Sequence, residues 1–295
     1  MFLITVLTPT YNRVHLLPRL YNSLLIQTNK NFEWFVIDDG SSDDTEQVVK
    51  SWINENKISI KYLKKENGGK YSTLNIGVKE IKTILVFICD SDDYLTYDAI
   101  ETIIFYHEKY KNYSEPICGY TFHRADENGT ISGGNFPETE AVEHYHEYQI
   151  NRWNGYFGGE TAQCFFTEIL QKFVPKRNIS GQRKRITDDI IWIPIGFEYK
   201  TVYIDKVLQV YEYQSDGYTR NARKHQNYHV QYERGLLYMD PVFKFKHRLR
   251  GTLMANVYAR FLRKKQKFNF LGILMYLPGL VVHKTWKWKY GMECE

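Results

Sequence analysis

Residues 81–90 read Ile-Lys-Thr-Ile-Leu-Val-Phe-Ile-Cys-Asp, an apolar run that stops abruptly at Asp90-Ser91-Asp92-Asp93. Continuous rather than alternating hydrophobicity marks a strand buried on both faces, which places it in the middle of a sheet with helices on each side, the setting of a parallel α/β sheet. Ligands of open α/β sheets bind beyond the carboxyl ends of the strands, so the acidic cluster would meet whatever fills that crevice. Three clustered carboxylates stay ionised together only in open solvent or beside a cation. The Asp90-x-Asp92 spacing suits a hard divalent ion that takes oxygen ligands and leaves positions open for phosphates. A solvated acidic turn that caps the next helix explains this stretch equally well when it is taken alone. The neighbouring segments decide between the two.

Phe2 to Thr8 is a second apolar, β-branched strand, ended by Thr8-Pro9-Thr10-Tyr11-Asn12-Arg13, after which Leu16, Leu17, Leu20 and Leu24 recur at helical spacing. Phe32 to Ile37 is a third strand that stops at Asp38-Asp39-Gly40-Ser41-Ser42-Asp43, with Val48, Val49, Trp52 and Ile53 marking a helix and Ser42 or Asp43 as its expected cap. Ile58 to Leu63 then leads through Asn67-Gly68-Gly69-Lys70 into a helix bearing Leu74, Val78 and Ile81. Strands alternating with helices demand right-handed crossovers and a parallel sheet. All the loops that follow the strands therefore emerge at one edge. Each loop alone is explained by turn formation or capping, since Gly40 and Gly68-Gly69 permit positive φ and Asp43 caps a helix. Four polar loops at one edge are more than turns require.

The motifs TPTYNR, VIDDGSSDDT, ENGGKYSTLNIG and FICDSDDYL, in this order, resemble the successive signatures of family 2 glycosyltransferases with the GT-A fold. The resemblance covers roughly the first 110 residues, and ordered multiple motifs are far more specific than a lone Asp-x-Asp. It implies an α/β fold of Rossmann-like GT-A type with a mostly parallel central sheet, and an inverting, metal-dependent, hexosyltransferase-type enzyme that uses a nucleotide-sugar donor such as a UDP-sugar. It assigns the nucleoside to Thr8, Pro9, Tyr11 and Asp38 or Asp39, and the remainder of the donor to Asn67, Lys70, Asp90 and Ser91. Mn²⁺ or Mg²⁺ falls to Asp92 and Asp90. Many members carry an Arg before the residue that matches Asn75, where this chain has Leu74; Lys70 is the candidate for the missing charge.

Further along, Asp126-Glu127-Asn128-Gly129-Thr130 is a hairpin signal, Glu138 to Asn154 reads as irregular surface with His144 and His146 as surface histidines, and Thr161 to Phe166 is a strand. Two strands are expected at Thr201–Ile204 and Val207–Tyr213. Ile186-Thr187-Asp188-Asp189-Ile190-Ile191-Trp192 resembles the family's Glu-Asp motif ahead of an aromatic residue, which implies Asp189 as catalytic base with Asp188 in reserve. A helix N-terminus favours carboxylates without any catalysis, so these two residues alone do not require that role. In the segment that follows, Arg220, Arg223, Lys224 and His225 are placed to fold over a diphosphate, His225 completing the metal shell; solvated basic residues account for them equally well.

The net charge of +5 over 295 residues hides an asymmetry: residues 1–219 hold 23 Lys+Arg and 30 Asp+Glu, whereas 220–295 hold 16 and 4. The expected organisation is a catalytic domain over 1–219 and a basic helical extension over 220–295. Such a tail points to an anionic partner, a membrane surface before nucleic acid, with packing on the catalytic domain or in a homodimer as the rival use of its apolar residues. Four scattered cysteines signal neither a zinc site nor a disulfide framework. With no basic region ahead of the first apolar run and no stretch of eighteen apolar residues, the expected location is cytoplasmic, peripheral at the inner face of the cell membrane. The resemblance further implies a saccharide acceptor, carried on a lipid, in bacterial capsule or other surface polysaccharide synthesis. Two functions of other classes compete. A sugar nucleotidyltransferase would carry a Gly-rich basic loop after the first strand, where this chain has Thr8-Pro9-Thr10-Tyr11-Asn12, and a non-catalytic carbohydrate-binding or scaffold protein would not need the carboxylates that are present.

Overall fold

The computed structural model describes residues 2–136, 138–144, 160–174, 189–212, 228–265, 270–290 and 292–294. Strands β1 (Ile4–Thr10), β2 (Phe32–Asp38), β3 (Ile60–Lys64) and β4 (Leu85–Ile88) alternate with helices α1 (Leu17–Leu25), α2 (Thr45–Glu55) and α3 (Lys70–Glu80). They pair in parallel in the order β3-β2-β1-β4. Thr10, Asp38 and Lys64 lie at one level of the sheet and Leu7 lies opposite Ile88, so the four loops leave from a common edge.

The continuous apolar runs are explained by two packed faces. Ile4, Val6, Phe32, Trp34, Val36, Leu85 and Phe87 point to one side, against Leu20 and Leu24 of α1, Val49 and Trp52 of α2, and Ile100 and Ile103 of α4 (Ala99–Tyr110). Leu7, Phe35, Ile37 and Val86 point to the other, against Leu74 and Val78 of α3. On the first side Tyr21 stacks on Trp52 with centroids 4.3 Å apart, and Trp52 stacks on the fully buried Trp34 at 5.8 Å. Truncating Trp34 would cost about 3–5 kcal/mol.

Beyond β4 the sheet becomes mixed. It continues through β8 (Thr161–Phe166), β6 (Ile117–Ala125), β9 (Lys200–Val210) and β5 (Tyr94–Leu95), with β7 (Ala141–His144) on the far side of β9. β8 runs antiparallel to both β4 and β6, whereas β6 and β9 are parallel. The hairpin signal at Asp126 holds: Asp126 Oδ1 accepts from the amides of Asn128 and Thr130, and Ala125 bridges Ile131.

Several expectations are corrected here. Ala141–His144 is a strand, not irregular surface, because β9 offers it an antiparallel edge. The two strands expected between 201 and 213 are one, β9, whose register shifts against β6 near His123 absorb the interruption. The α2 helix starts at Thr45 with Asp44 before it, although Asp43 does accept from the Thr45 amide and hydroxyl. His144 is half-buried, and its Nδ1 lies 2.8 Å from the Gly196 carbonyl. His146 and the expected boundary at 219 and 220 lie outside the described residues.

The C-terminal part is helical: α7 (Tyr228–Leu237), α8 (Phe245–Phe261), α9 (Phe270–Leu274) and α10 (Tyr276–Tyr290). α7 and α8 meet backbone to backbone, since a Cβ on Gly235 would come within 2.7 Å of the Ala255 nitrogen and one on Gly251 within 2.9 Å of the Gly235 oxygen. Tyr228, Val257, Tyr258 and Phe261 form its core. It joins the sheet domain where Phe243 and Leu237 meet Ile193 and Phe197 of α6 (Asp189–Glu198).

Candidate active site

The first two loops are bound to each other. Asn12 stands at φ +51°, its amide donates to Ser41 Oγ at 2.9 Å and its Oδ1 accepts from the Ser42 amide at 2.8 Å. Val14 adds an amide bond to Asp43 Oδ2 at 3.1 Å. Thr8 and Pro9 are buried in β1, and the Thr8 hydroxyl accepts from Trp34 Nε1 at 3.0 Å. Tyr11 is the exposed member of this loop.

The Asp38-Asp39 pair is buried and its oxygens are filled with donors. Asp38 Oδ1 accepts from the Ser41 amide at 2.7 Å and Oδ2 from the Tyr62 hydroxyl at 2.7 Å. Burial, reinforced by that bond to a carboxylate, drives the Tyr62 hydroxyl pKa well above its ordinary value. Asp39 accepts from the amides of Gly68 at 2.9 Å and Gly69 at 2.7 Å and is paired with Lys65. Its carbonyl takes the Asn67 side chain at 3.0 Å. Gly40 is required here: at φ +80°, a Cβ would approach the Asn67 nitrogen to 2.9 Å. Asp39 thus fastens the third loop to the second.

The Asp90–Asp93 turn is built differently. Carboxylate oxygens of Asp90, Asp92 and Asp93 lie within 4.8 Å of one another. Lys70 Nζ sits 2.7 Å from both oxygens of the Asp90 carboxylate. Burial tends to raise Asp90, but the charge and hydrogen bond of Lys70 prevail and hold its pKa below the usual value. Burial and the negative charge of Asp90 raise Asp92. Burial pushes Asp93 up to about 7, with Asp90 and Asp92 adding to the rise against the pull of Arg124. Ser91 is buried in the same turn. Three carboxylates gathered in one turn, two of them raised by burial and by their neighbours' charge, are the kind of oxygen donor set a hard divalent cation takes. Mn²⁺ or Mg²⁺ fits these residues.

Around the cluster stand residues that the sequence did not single out. Asp93 Oδ2 accepts from Arg124 at 2.5 Å and from Gln209 Nε2 at 2.6 Å, which ties the turn to β6 and β9. Arg19 of α1 donates to the Asp92 carbonyl at 2.6 Å, reaches Glu212 at 2.5 Å and Glu127 at 2.9 Å, and covers the Tyr94 ring. Three carboxylates in four residues were the one signal for Asp93; Arg124 and Gln209 are 31 and 116 positions away and leave none.

Of the expected base, the structure describes where its helix stands. Asp189 opens α6, which is seated by Trp192 stacking on Phe165 of β8 at 4.7 Å and by Ile191 and Ile195 packing under the sheet. The Asp189 side chain, Asp188 and His225 lie outside the described residues.

The family described as "Glycosyl transferase family 2" matches residues 5–173, a span that takes in all four loops and the strands that carry them. The chain belongs to this family. An uncharacterized glycosyltransferase of Rickettsia conorii is 34% identical over 145 residues, which are 46% of this chain and 23% of that protein. The chondroitin synthase of Pasteurella multocida is 31% identical over 163 residues, 52% of this chain and 16% of the synthase. The chain thus spans less than a quarter of these relatives. Among solved structures, Staphylococcus aureus TarS 1–349 in complex with UDP superposes with a TM-score of 0.61 at 18% identity, covering 88% of this chain and 70% of the other. The mannosyltransferase PcManGT from Pyrobaculum calidifontis, in complex with GDP-Man and Mn²⁺, gives 0.56 at 16% identity over 96% of this chain and 82% of its own. The fold is GT-A.

Proposed function

We propose that this family 2 protein is an inverting glycosyltransferase that moves a hexosyl group from a nucleotide-diphosphate sugar, a UDP-sugar, to a hydroxyl of a saccharide acceptor in the synthesis of a bacterial surface polysaccharide. The observation that carries the reading is the Asp90–Asp93 cluster with Lys70 at the carboxyl edge of a parallel GT-A sheet. The likeness to a chondroitin synthase, and fold neighbours in complex with UDP or with GDP-Man and Mn²⁺, support the donor class. In this reading Tyr11 meets the nucleoside above a buried floor of Thr8, Pro9, Asp38 and Asp39, while Asn67, Lys70 and Ser91 line the path of the diphosphate.

Asp90 and Asp92 would hold Mn²⁺ or Mg²⁺, with His225 as a further ligand. When bound, such an ion stabilises the charge that develops on a departing diphosphate. Lys70, already beside Asp90, adds a fixed positive charge in the same place. Asp189, at the start of α6, takes the proton from the acceptor hydroxyl as that oxygen attacks the anomeric carbon from the face opposite the leaving group, and the configuration inverts. The acceptor is a saccharide carried on a lipid, and the chain works peripherally at the anionic inner face of the cell membrane.

Incubation with a panel of nucleotide sugars, with and without Mn²⁺, should release nucleoside diphosphate only with the metal. Pyrophosphate release would indicate nucleotidyl transfer, and no product with any donor would indicate a binding protein. Asp189→Asn should abolish transfer and leave nucleoside diphosphate affinity near wild type, because the base acts on the acceptor. The same pattern from Asp188→Asn alone would move the base by one position.

A further inference from the structure

α10 has two unlike faces. Val282, Trp286 and Tyr290 turn inward onto the C-terminal core, Trp286 meeting Tyr258 edge to face at 5.8 Å. Leu277, Val281 and Trp288, spaced four and seven residues apart, turn outward and are 67%, 64% and 87% exposed. Phe270 and Ile273 of α9 are likewise exposed, at 78% and 63%, while Leu271 between them is buried. Exposed lysines accompany this row: Lys264 and Lys265 precede α9, Lys287 and Lys289 flank the outward face of α10, and Lys284 stands within it, three residues after Val281 and four before Trp288. Residues 241–290 hold 12 Lys+Arg and neither Asp nor Glu.

Several large apolar side chains exposed on neighbouring helices among charges of one sign mark a docking face. A second copy of this chain would bring the same cationic rim against itself. A nucleic acid would leave the outward Leu, Val, Phe and Trp without a use. An anionic bilayer satisfies both features, because the apolar row enters the headgroup boundary while the lysines snorkel to the phosphates. At about 1.5 Å per residue α10 is roughly 22 Å long, short of the ~30 Å hydrocarbon core, and no described helix is long and apolar enough to cross a membrane. We propose that the outward face of α9 and α10 lies in the plane of an anionic membrane, with Leu277, Val281 and Trp288 inserted and Lys284, Lys287 and Lys289 on lipid phosphates. This deepens the peripheral location stated above by naming the surface and the lipid charge it requires.

The full chain should co-sediment with vesicles of phosphatidylcholine and phosphatidylglycerol, weakly with phosphatidylcholine alone, and less as salt rises. Replacing Lys284, Lys287 and Lys289 by Gln should weaken partitioning about a hundredfold. Leu277→Glu with Val281→Glu, at exposed positions that leave the core untouched, should abolish it with unchanged circular dichroism. Salt-insensitive binding to neutral vesicles, retention by an oligonucleotide without vesicle binding, or a dimer that the Leu277 and Val281 changes disperse would each overturn the proposal. Nucleoside diphosphate release onto a water-soluble acceptor should be the same in all these variants. A wild-type chain that binds vesicles and releases none refutes the transferase reading and leaves the membrane face standing.

Discussion

Asp38-Asp39 and Asp90–Asp93 stand at the ends of β2 and β4, on either side of β1, at the same edge of one sheet. The first pair takes amide hydrogens from Ser41, Gly68 and Gly69, a tyrosine hydroxyl and a lysine, all from the protein itself. The second group has one lysine near Asp90, one arginine and one glutamine on Asp93, and burial that, reinforced by mutual repulsion, raises two of its three pKa values. Identical side chains in equivalent places are thus held differently. The first pair is saturated by the protein's own donors; the second group, in the function proposed above, receives a cation.

Charge removal is the strongest way to break this comparison. Asp92→Asn should lower turnover on the order of a thousandfold and remove the Mn²⁺ dependence of donor binding, with stability unchanged or improved because a repelled carboxylate is gone. Calorimetry with Mn²⁺ and a nucleoside diphosphate, beside a denaturant melt, reads both. A wild-type Mn²⁺ affinity in this variant would show that the cluster is no receptor. Asp39→Ala should do the reverse on the other side of β1. It leaves two glycine amides without their acceptor and Lys65, whose side chain is 12% exposed, without its counter-charge and with the Glu66 carbonyl still beside it, at a cost of about 3–5 kcal/mol of folding stability. Unaltered urea unfolding would deny the pair its scaffold role.

The next effect is read in pH. Asp93 holds its proton up to about 7 when folded, whereas an unfolded carboxylate loses it near 4. Between those values the folded state binds the extra proton, so in metal-free protein this group's contribution to stability falls as pH rises, by at most about 1.4 kcal/mol per pH unit. Asp43 behaves oppositely: its lowered pKa, set against burial by bonds from Thr45 and Val14, contributes stability above pH ~4 that is lost in stronger acid. The histidines His107, His123 and His283, whose pKa values are lowered mainly by burial, act in the opposite sense over the same range. The decline is therefore read as the difference between wild type and Asp93→Asn in denaturant melts from pH 4 to 7, and added Mn²⁺ should shrink that difference. A decline untouched by both would place its source outside the cluster.

The sequence made the parallel half legible because β1, β2 and β4 are apolar on both faces, β3 is a short edge strand of mixed character, and Asp, Asn or Gly follows each within a few residues, so period and punctuation agree from β1 to β4. The mixed half was read less well. β9 carries register shifts and β7 depends on a partner about sixty residues later, a pairing that no local pattern encodes. The site divides in the same way. Asp90 and Asp92 could be read from their spacing and Asp38-Asp39 from their place after a strand, but whether each carboxylate was saturated could not, because the deciding partners, Lys65, Tyr62, Arg124 and Gln209, are distant in the chain or unremarkable within it. The contact of Gly235 with Ala255 that sets the α7–α8 crossing was equally silent.

The smallest expected effect tests how the scaffold side is assembled. Asn12 lies in the left-handed region at φ +51°, and its Oδ1 receives the Ser42 amide while its own amide goes to Ser41 Oγ. Asn12→Gly keeps the backbone bond and adopts that φ freely, so it removes the side-chain acceptor alone and should cost about 1 kcal/mol. Asn12→Ala loses the same acceptor and adds the strain of a Cβ at positive φ, about 1–2 kcal/mol more. Because the bond joins the loops that would frame the nucleoside and not the acidic turn, both variants should weaken nucleoside diphosphate binding severalfold while Mn²⁺ binding to the Asp90–Asp93 cluster stays at the wild-type level. A parallel loss of Mn²⁺ affinity would mean that the two carboxylate groups are coupled through β1 rather than independent, and the division between scaffold and receptor would then be one of degree.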